Sequence, residues 1–172
     1  GNLESARELS NSLDVVYLNT WQWYYLGEVA KNTNNVAPSD IYFNNSIISE
    51  KNVALSFKAK ADNAILLNQP QTAVKALENY ILRIPEDYVS ALTLCKLYHT
   101  EKRYVKVVAT LRYFVVRNKL DDEGYRLIGT AFLHLAELDS AEEAFKCISN
   151  YKQDFEIMLN LGVLYARQEK FN

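Results

Sequence analysis

The stretch Asp122–Asp154, DEGYRLIGTAFLHLAELDSAEEAFKCISNYKQD, decides how this chain is read. In its first half Tyr125, Ile128, Gly129 and Phe132 recur at helical spacing. After a turn expected at Glu137 to Ser140, Ala141 and Phe145 do the same in the second half. Small and large apolar residues on two successive segments are what a pair of antiparallel helices needs where the backbones approach closely. Asp121, Asp122 and Glu123 stand at the start of the first helix, where carboxylates favour the positive end of the dipole. They read as capping residues and not as a metal cluster, because the ligand spacing of a calcium loop is missing. Ser140 with Glu143 reads as a capping box opening the second helix, expected to run to about Asn150.

Outward from this hairpin the same pattern returns at a fixed period. The small residues Gly27, Ala61, Cys95, Gly129 and Gly162 are spaced by 34, 34, 34 and 33 positions, and Ser39, Ala73, Val107 and Ala141 by 34 each. Four residues beyond each of the latter lies a large apolar group: Phe43, Leu77, Leu111 and Phe145. Ser5 and Leu9 fall one period before Ser39 and Phe43, so the amphipathic helix expected from Leu3 to Val16 is the second half of an earlier unit. Further helices are expected over 20–31, from Pro38 to about Ile48 with an interruption at Asn44 and Asn45, near 53–67, 71–84, 87–100 and 104–117, and from Phe155 onward. A ladder of this period is the signature of stacked helical hairpins.

This register resembles the tetratricopeptide repeat family, whose pattern opens W-x-x-L-G-x-x-Y and continues with an alanine, an aromatic and a proline. Trp23, Leu26 and Gly27 match the opening, with Ala30 in place of the tyrosine. Ala73 and Pro85 match in the second unit, Leu94, Tyr98 and Tyr104 in the third, and Gly129, Ala141 and Phe145 in the fourth; Leu161, Gly162 and Tyr165 open a fifth. Val107 replaces an alanine, and Ser39 and Asn44 depart from the pattern in the first unit. The resemblance implies an all-α fold, a right-handed superhelical array of antiparallel helix pairs. It makes 1–172 a single domain: a half repeat over 1–19, repeats over 20–53, 54–87, 88–121 and 122–154, and an incomplete last repeat over 155–172.

The resemblance also implies that the first helices line a concave groove holding a peptide or helix of another protein. Carried over residue by residue, the groove residues are Trp21, Tyr24 and Glu28; Lys58, Asp62 and Ile65; Leu92, Lys96 and His99; Arg126, Thr130 and Leu133; then Leu159 and Val163. Some members clamp the acidic tails of chaperones with Lys, Asn and Arg. Lys58 takes one clamp place, but Asp62 stands for the asparagine, and Glu123 and Leu127 replace the basic pair. An aspartate facing a carboxylate repels it, so that ligand class is not expected.

Composition bounds the alternatives. With 49% hydrophobic and 23% charged residues in 172, the chain can bury a core, and its formal charge of -2 offers no broad attraction to nucleic acid or an anionic membrane. Neither is expected as a partner, and no apolar run approaches the roughly 20 residues of a membrane span. Cys95 and Cys147 lie in apolar helical segments and read as small buried hydrophobes. No nucleophile elbow, phosphate-cradling loop or H-E-x-x-H is present, so neither an enzyme nor a cofactor is expected. His99 and His134, 35 apart, occupy nearly the same place in consecutive units, but no third ligand accompanies them, and no metal is expected. Most aromatics belong to packing columns; Trp21, Tyr24 and Tyr25 are free to stack, and Lys102 with Arg103 reads as a solvated turn.

The helix after Phe155 is apolar on more than one face. That end is expected either to continue a longer array or to be covered by another chain, including a second copy. The expected function is a protein-interaction scaffold. An architectural self-associating subunit of an assembly or secretion machinery, and an accessory domain of an enzyme encoded elsewhere, are the alternatives. Compartment is not legible, with the cytoplasm favoured.

Overall fold

The computed structural model describes residues 18–49 and 54–168, and every regular element among them is helical. In chain order these are α1 (Thr20–Asn32), α2 (Val36–Ser49), α3 (Ala54–Leu66), α4 (Pro70–Ile81), α5 (Tyr88–Thr100), α6 (Tyr104–Val115), α7 (Asp122–His134), α8 (Leu138–Lys146) and, after a short 3-10 turn over Tyr151–Gln153, α9 (Phe155–Arg167). The helix expected over 3–16 and the residues Phe171 and Asn172 lie outside the described residues. The chain divides into two compact units, one ending at Ile84 and the other beginning at Pro85. In the first unit α1 packs on α2, α2 on α3 and α3 on α4; in the second, α5 to α9 pack in the same serial way. Each unit is thus a short stack of antiparallel helix pairs.

One turn, used four times, builds the pairs. Asn34, Asn68, Lys102 and Ala136, each 34 residues after the last, adopt left-handed φ of 63, 54, 58 and 61°. In each case the next N–H reaches back to the last helical turn: Asn35 to the carbonyl of Ala30 (2.9 Å), Gln69 to Ala64 (2.8 Å), Arg103 to Tyr98 (2.8 Å) and Glu137 to Phe132 (2.9 Å). This is the Schellman closure, which satisfies carbonyls that a helix end otherwise leaves bare and reverses the chain within three residues. The second helix therefore starts at once. In Asp122–Asp154 the turn lies at Leu135 to Glu137 and not at Glu137 to Ser140. Helix α8 begins at Leu138, and its N-cap Glu137 makes no side-chain cap bond. Ser140 already sits inside the first turn, so the expected Ser140–Glu143 capping box is not formed. Helix α8 also stops at Lys146, short of Asn150.

Two other expectations are corrected. Helix α2 runs unbroken through Asn44 and Asn45. The Asn44 amide donates to Asp40 (3.1 Å) and its carbonyl accepts from Lys60, so the side chain does not compete for the backbone. Cys147 is exposed, whereas Cys95 is buried and its thiol is pushed up to about 12 by desolvation. At the first turn of α7, Asp121 caps as expected, accepting from the Gly124 N–H at 2.8 Å.

The repeat columns form the core. Ser39, Ala61, Ala73, Cys95, Val107, Ala141, Phe43, Leu111 and Phe145 have no exposed surface, and Leu77 almost none. Side-chain volumes across the pairs compensate. A Cβ on Gly27 would run into the Phe43 ring, and one on Gly129 would lie 2.7 Å from the Phe145 ring. Where the first helix instead carries Ala61 or Cys95, the second helix carries the smaller Leu77 or Leu111. A Cβ on Gly162 meets nothing within 4 Å among the described residues.

Candidate interaction surfaces

In the first unit, α1 exposes an aromatic cluster. Asn19 places it by closing a capping box with Gln22, which starts the helix so that Trp21, Tyr24, Tyr25 and Glu28 share one side. Trp21 is 50% and Tyr25 63% exposed, and Tyr24 is half-buried between them. Its ring meets Trp21 edge-on at 6.1 Å, Tyr25 at 5.6 Å and the core ring of Phe43 at 5.9 Å. Burial raises the Tyr24 hydroxyl above its ordinary value, with the charges of Glu28 and Asp62 adding to it. On α3, Asp62 is held by Lys31 of α1 at 3.4 Å, Lys58 lies 5.3 Å from the centre of the Tyr80 ring, and Ile65 is exposed.

In the second unit, charges on the first helices pair from one repeat to the next. Lys96 of α5 meets Glu123 of α7 at 2.6 Å. Arg126 of α7 forks onto Asp154 (2.6 Å) and Glu156 (3.3 Å) at the start of α9. Asp154 also caps α9 by accepting from the N–H groups of Glu156 and Ile157, so one carboxylate starts the helix and anchors it to its neighbour. The Arg126 hydrogen bond and these amides hold its carboxyl below the ordinary range. Thr130 turns its hydroxyl back onto the Arg126 carbonyl at 2.8 Å. Leu159 and Val163 stand exposed on α9.

Two of the expected groove residues do not reach a surface. Leu92 and Leu133 are buried, and Leu133 packs with Ala141, Phe145 and Ile157 in the core. The spacing of three and four that selected them spans a sector wide enough to include a core edge. Asp62 and Glu123, which stand at clamp positions, are both occupied by lysines of this chain. Spacing did not pick out Asp154, Glu156 or Lys31 as members of this surface; the acid at the N-cap of α9 was the available signal for Asp154.

His99 and His134 come together, their ring centres 6.4 Å apart, with Tyr104 against both. Tyr104 stacks flat on His134 at 4.2 Å and meets His99 edge-on at 5.5 Å. Burial, then the neighbouring His99, Arg167 and Lys102, pushes His134 below the ordinary histidine value. Among the described residues no group of three or more His, Cys, Asp and Glu is placed to hold a metal ion. The expected solvated turn is partly packed: Arg103 lies over the Tyr98 ring at 4.7 Å and pairs with Glu101 at 3.0 Å.

No protein-family model and no curated protein matches this sequence. Solved structures do match. YrrB, described as a TPR protein with an unusual peptide-binding site, aligns at a TM-score of 0.75 and 14% identity over 98% of this chain and 86% of its own. MamA from residue 41 to its end, of Desulfovibrio magneticus RS-1, aligns at 0.64 and 15% over 88% and 86%. A chain of the APC/C hetero-tetramer Cut9–Hcn1 aligns at 0.55 and 15%, over 98% of this chain but 34% of that one. The fold is therefore that of a tetratricopeptide-type α-solenoid, as the 34-residue register led us to expect.

Proposed function

We propose that this chain is a protein-interaction scaffold whose first-helix faces hold a peptide or helical segment of another protein. The observation that carries this reading is the surface of α1. Trp21 and Tyr25 remain half or more exposed although the packing columns beneath them are filled. Large aromatic side chains on a rigid helix contribute most of the binding free energy in many interfaces, because they bury much area at little entropic cost. Beside them Lys31 pairs with Asp62, so apolar anchors rather than these two charges select the partner. YrrB, with the same fold, has a peptide-binding site, which supports a peptide or helix as the class of ligand.

The test is crosslinking in a cell lysate followed by recovery of the bound proteins. Trp21→Ala with Tyr25→Ala is expected to lower recovery of a specific partner at least about tenfold, equivalent to about 1.4 kcal/mol. Unchanged recovery would remove the first-helix face from consideration.

A second reading is favoured by α9. Phe155, Met158, Leu159 and Val163 are all exposed among the described residues. An architectural role, in which a helix of another subunit covers this apolar face, accounts for that exposure. Sedimentation over a wide concentration range, with Leu159→Asp for comparison, distinguishes self-association from a monomeric receptor. A single mass at every concentration would exclude a second copy as that subunit.

A further inference from the structure

We infer that the second unit carries a separate docking groove between α6 and α8, and that it takes a short amphipathic helix of a partner protein bearing apolar anchors beside a basic residue. The groove encloses about 650 Å³, a volume typical of binding clefts. Val115 and Val116 form one wall, Ala144 and Cys147 the other, and Ile128 and Phe132 of α7 the floor.

Comparison with the first unit shows why it is open. A smaller groove of about 310 Å³ lies among α2, α3 and α4, and each of its nine lining residues stands 68 positions, two repeat lengths, before a residue that lines the larger one. The two grooves are the same feature built from different side chains. In the first unit Lys60 hydrogen-bonds to Asn44 and so ties α3 to α2 across the groove. In the second unit these two places hold Ile128 and Arg112. Isoleucine cannot make that bridge, so the floor stays apolar and the space stays free.

The rim selects the occupant. Arg112 stands on the α6 side and Glu137 and Glu143 on the α8 side, all three exposed. Among the described residues none of the three has an ion-pair partner, whereas Lys96, Glu123, Arg126 and Asp154 on the first-helix face are all paired. Two unpaired carboxylates against one guanidinium favour a partner with a lysine or arginine at the α8 edge. Wall residues recur at helical spacing over Val108 to Val116 and Ser140 to Cys147, about two turns on each side, or on the order of 10 Å. A partner helix of about three turns, with apolar residues at i, i+3 or i+4 and i+7, matches that length and packs as a helix does between two others. This groove is distinct from the first-helix surface, so either site can exist without the other.

The test uses the full chain and a fluorescein-labelled, helix-stapled peptide with leucines at i, i+3, i+4 and i+7 flanked by two lysines, followed by anisotropy. Saturable binding is expected, together with slower maleimide labelling of Cys147, the exposed thiol at the groove wall. Glu143→Lys should weaken binding at least tenfold, as should glutamates in place of the peptide's lysines. Cys147→Trp, which fills the groove without changing charge, should abolish it, and Trp21→Ala should leave it unchanged. Absence of saturable binding, indifference to both Glu143→Lys and Cys147→Trp, or loss in Trp21→Ala would each overturn the proposal. Circular dichroism of the variants confirms that these surface changes leave the helices intact.

Discussion

Glycines in the repeat column have opposite roles depending on what faces them. At Gly129 the Phe145 ring occupies the place of a side chain, so Gly129→Val overpacks a filled core and is expected to cost about 1–3 kcal/mol. At Gly162 nothing among the described residues lies within 4 Å, and the helix's own preference acts there. Gly162→Ala is expected to stabilise the protein by up to about 1 kcal/mol, because alanine loses less backbone entropy in a helix interior. Urea unfolding of the two variants checks the pair, and a loss of stability in both would contradict this assignment. The large-to-small match between helices was legible in the sequence, since volume and period are carried by residue identity alone. The same spacing placed Leu92 and Leu133 on the groove, and there it misled: period locates a helical face but not the edge at which a neighbour covers it.

At the scale of elements, turns and caps separate what is local from what is not. Asn34 and Asn68 are residue types that tolerate the left-handed conformation, and the asparagine run after α1 is readable as a turn. Ala136 takes the same conformation, φ 61°, with no such tolerance, imposed by the hairpin that must close there. That is why the turn was expected two or three residues later, at residues with better turn chemistry. Ala136→Gly relieves about 1–2 kcal/mol of left-handed strain against a smaller entropic loss, and a net gain of about 0.5 kcal/mol in urea unfolding is expected. Helix α9 is tied to α7 by a carboxylate held low by Arg126 and by the amides that it caps. Its folded-state pKa lies below the ordinary aspartate value of 3.8, so the stabilisation is present above that value and lost as pH falls through the lower folded one. Arg126→Ala should flatten the acid limb of the stability profile, and an acid limb identical to that of the parent protein would show that the pair does not contribute.

At the scale of the whole molecule, ionic strength separates the two proposed interaction surfaces. Charges on the first-helix faces are largely paired, and exposed pairs contribute little. Partner binding there should therefore change less than about threefold between low and physiological salt, because screening acts on unpaired exposed charge. Binding in the groove between α6 and α8, where Arg112, Glu137 and Glu143 are unpaired, should weaken more over the same range. Anisotropy at two salt concentrations compares them directly.

The amino-acid sequence by itself determined the helical class, the 34-residue register, the buried columns and the capping acids at Asp121, because each rests on period, side-chain volume or chemistry within a few neighbouring residues. Tertiary structure alone decided that Asp62, Glu123 and Arg126 are paired, that Leu92 and Leu133 are covered, and that the groove over Ile128 is wider than the one that Lys60 bridges. Those outcomes depend on distances between side chains on different helices, half a repeat to a repeat apart, which no local pattern encodes.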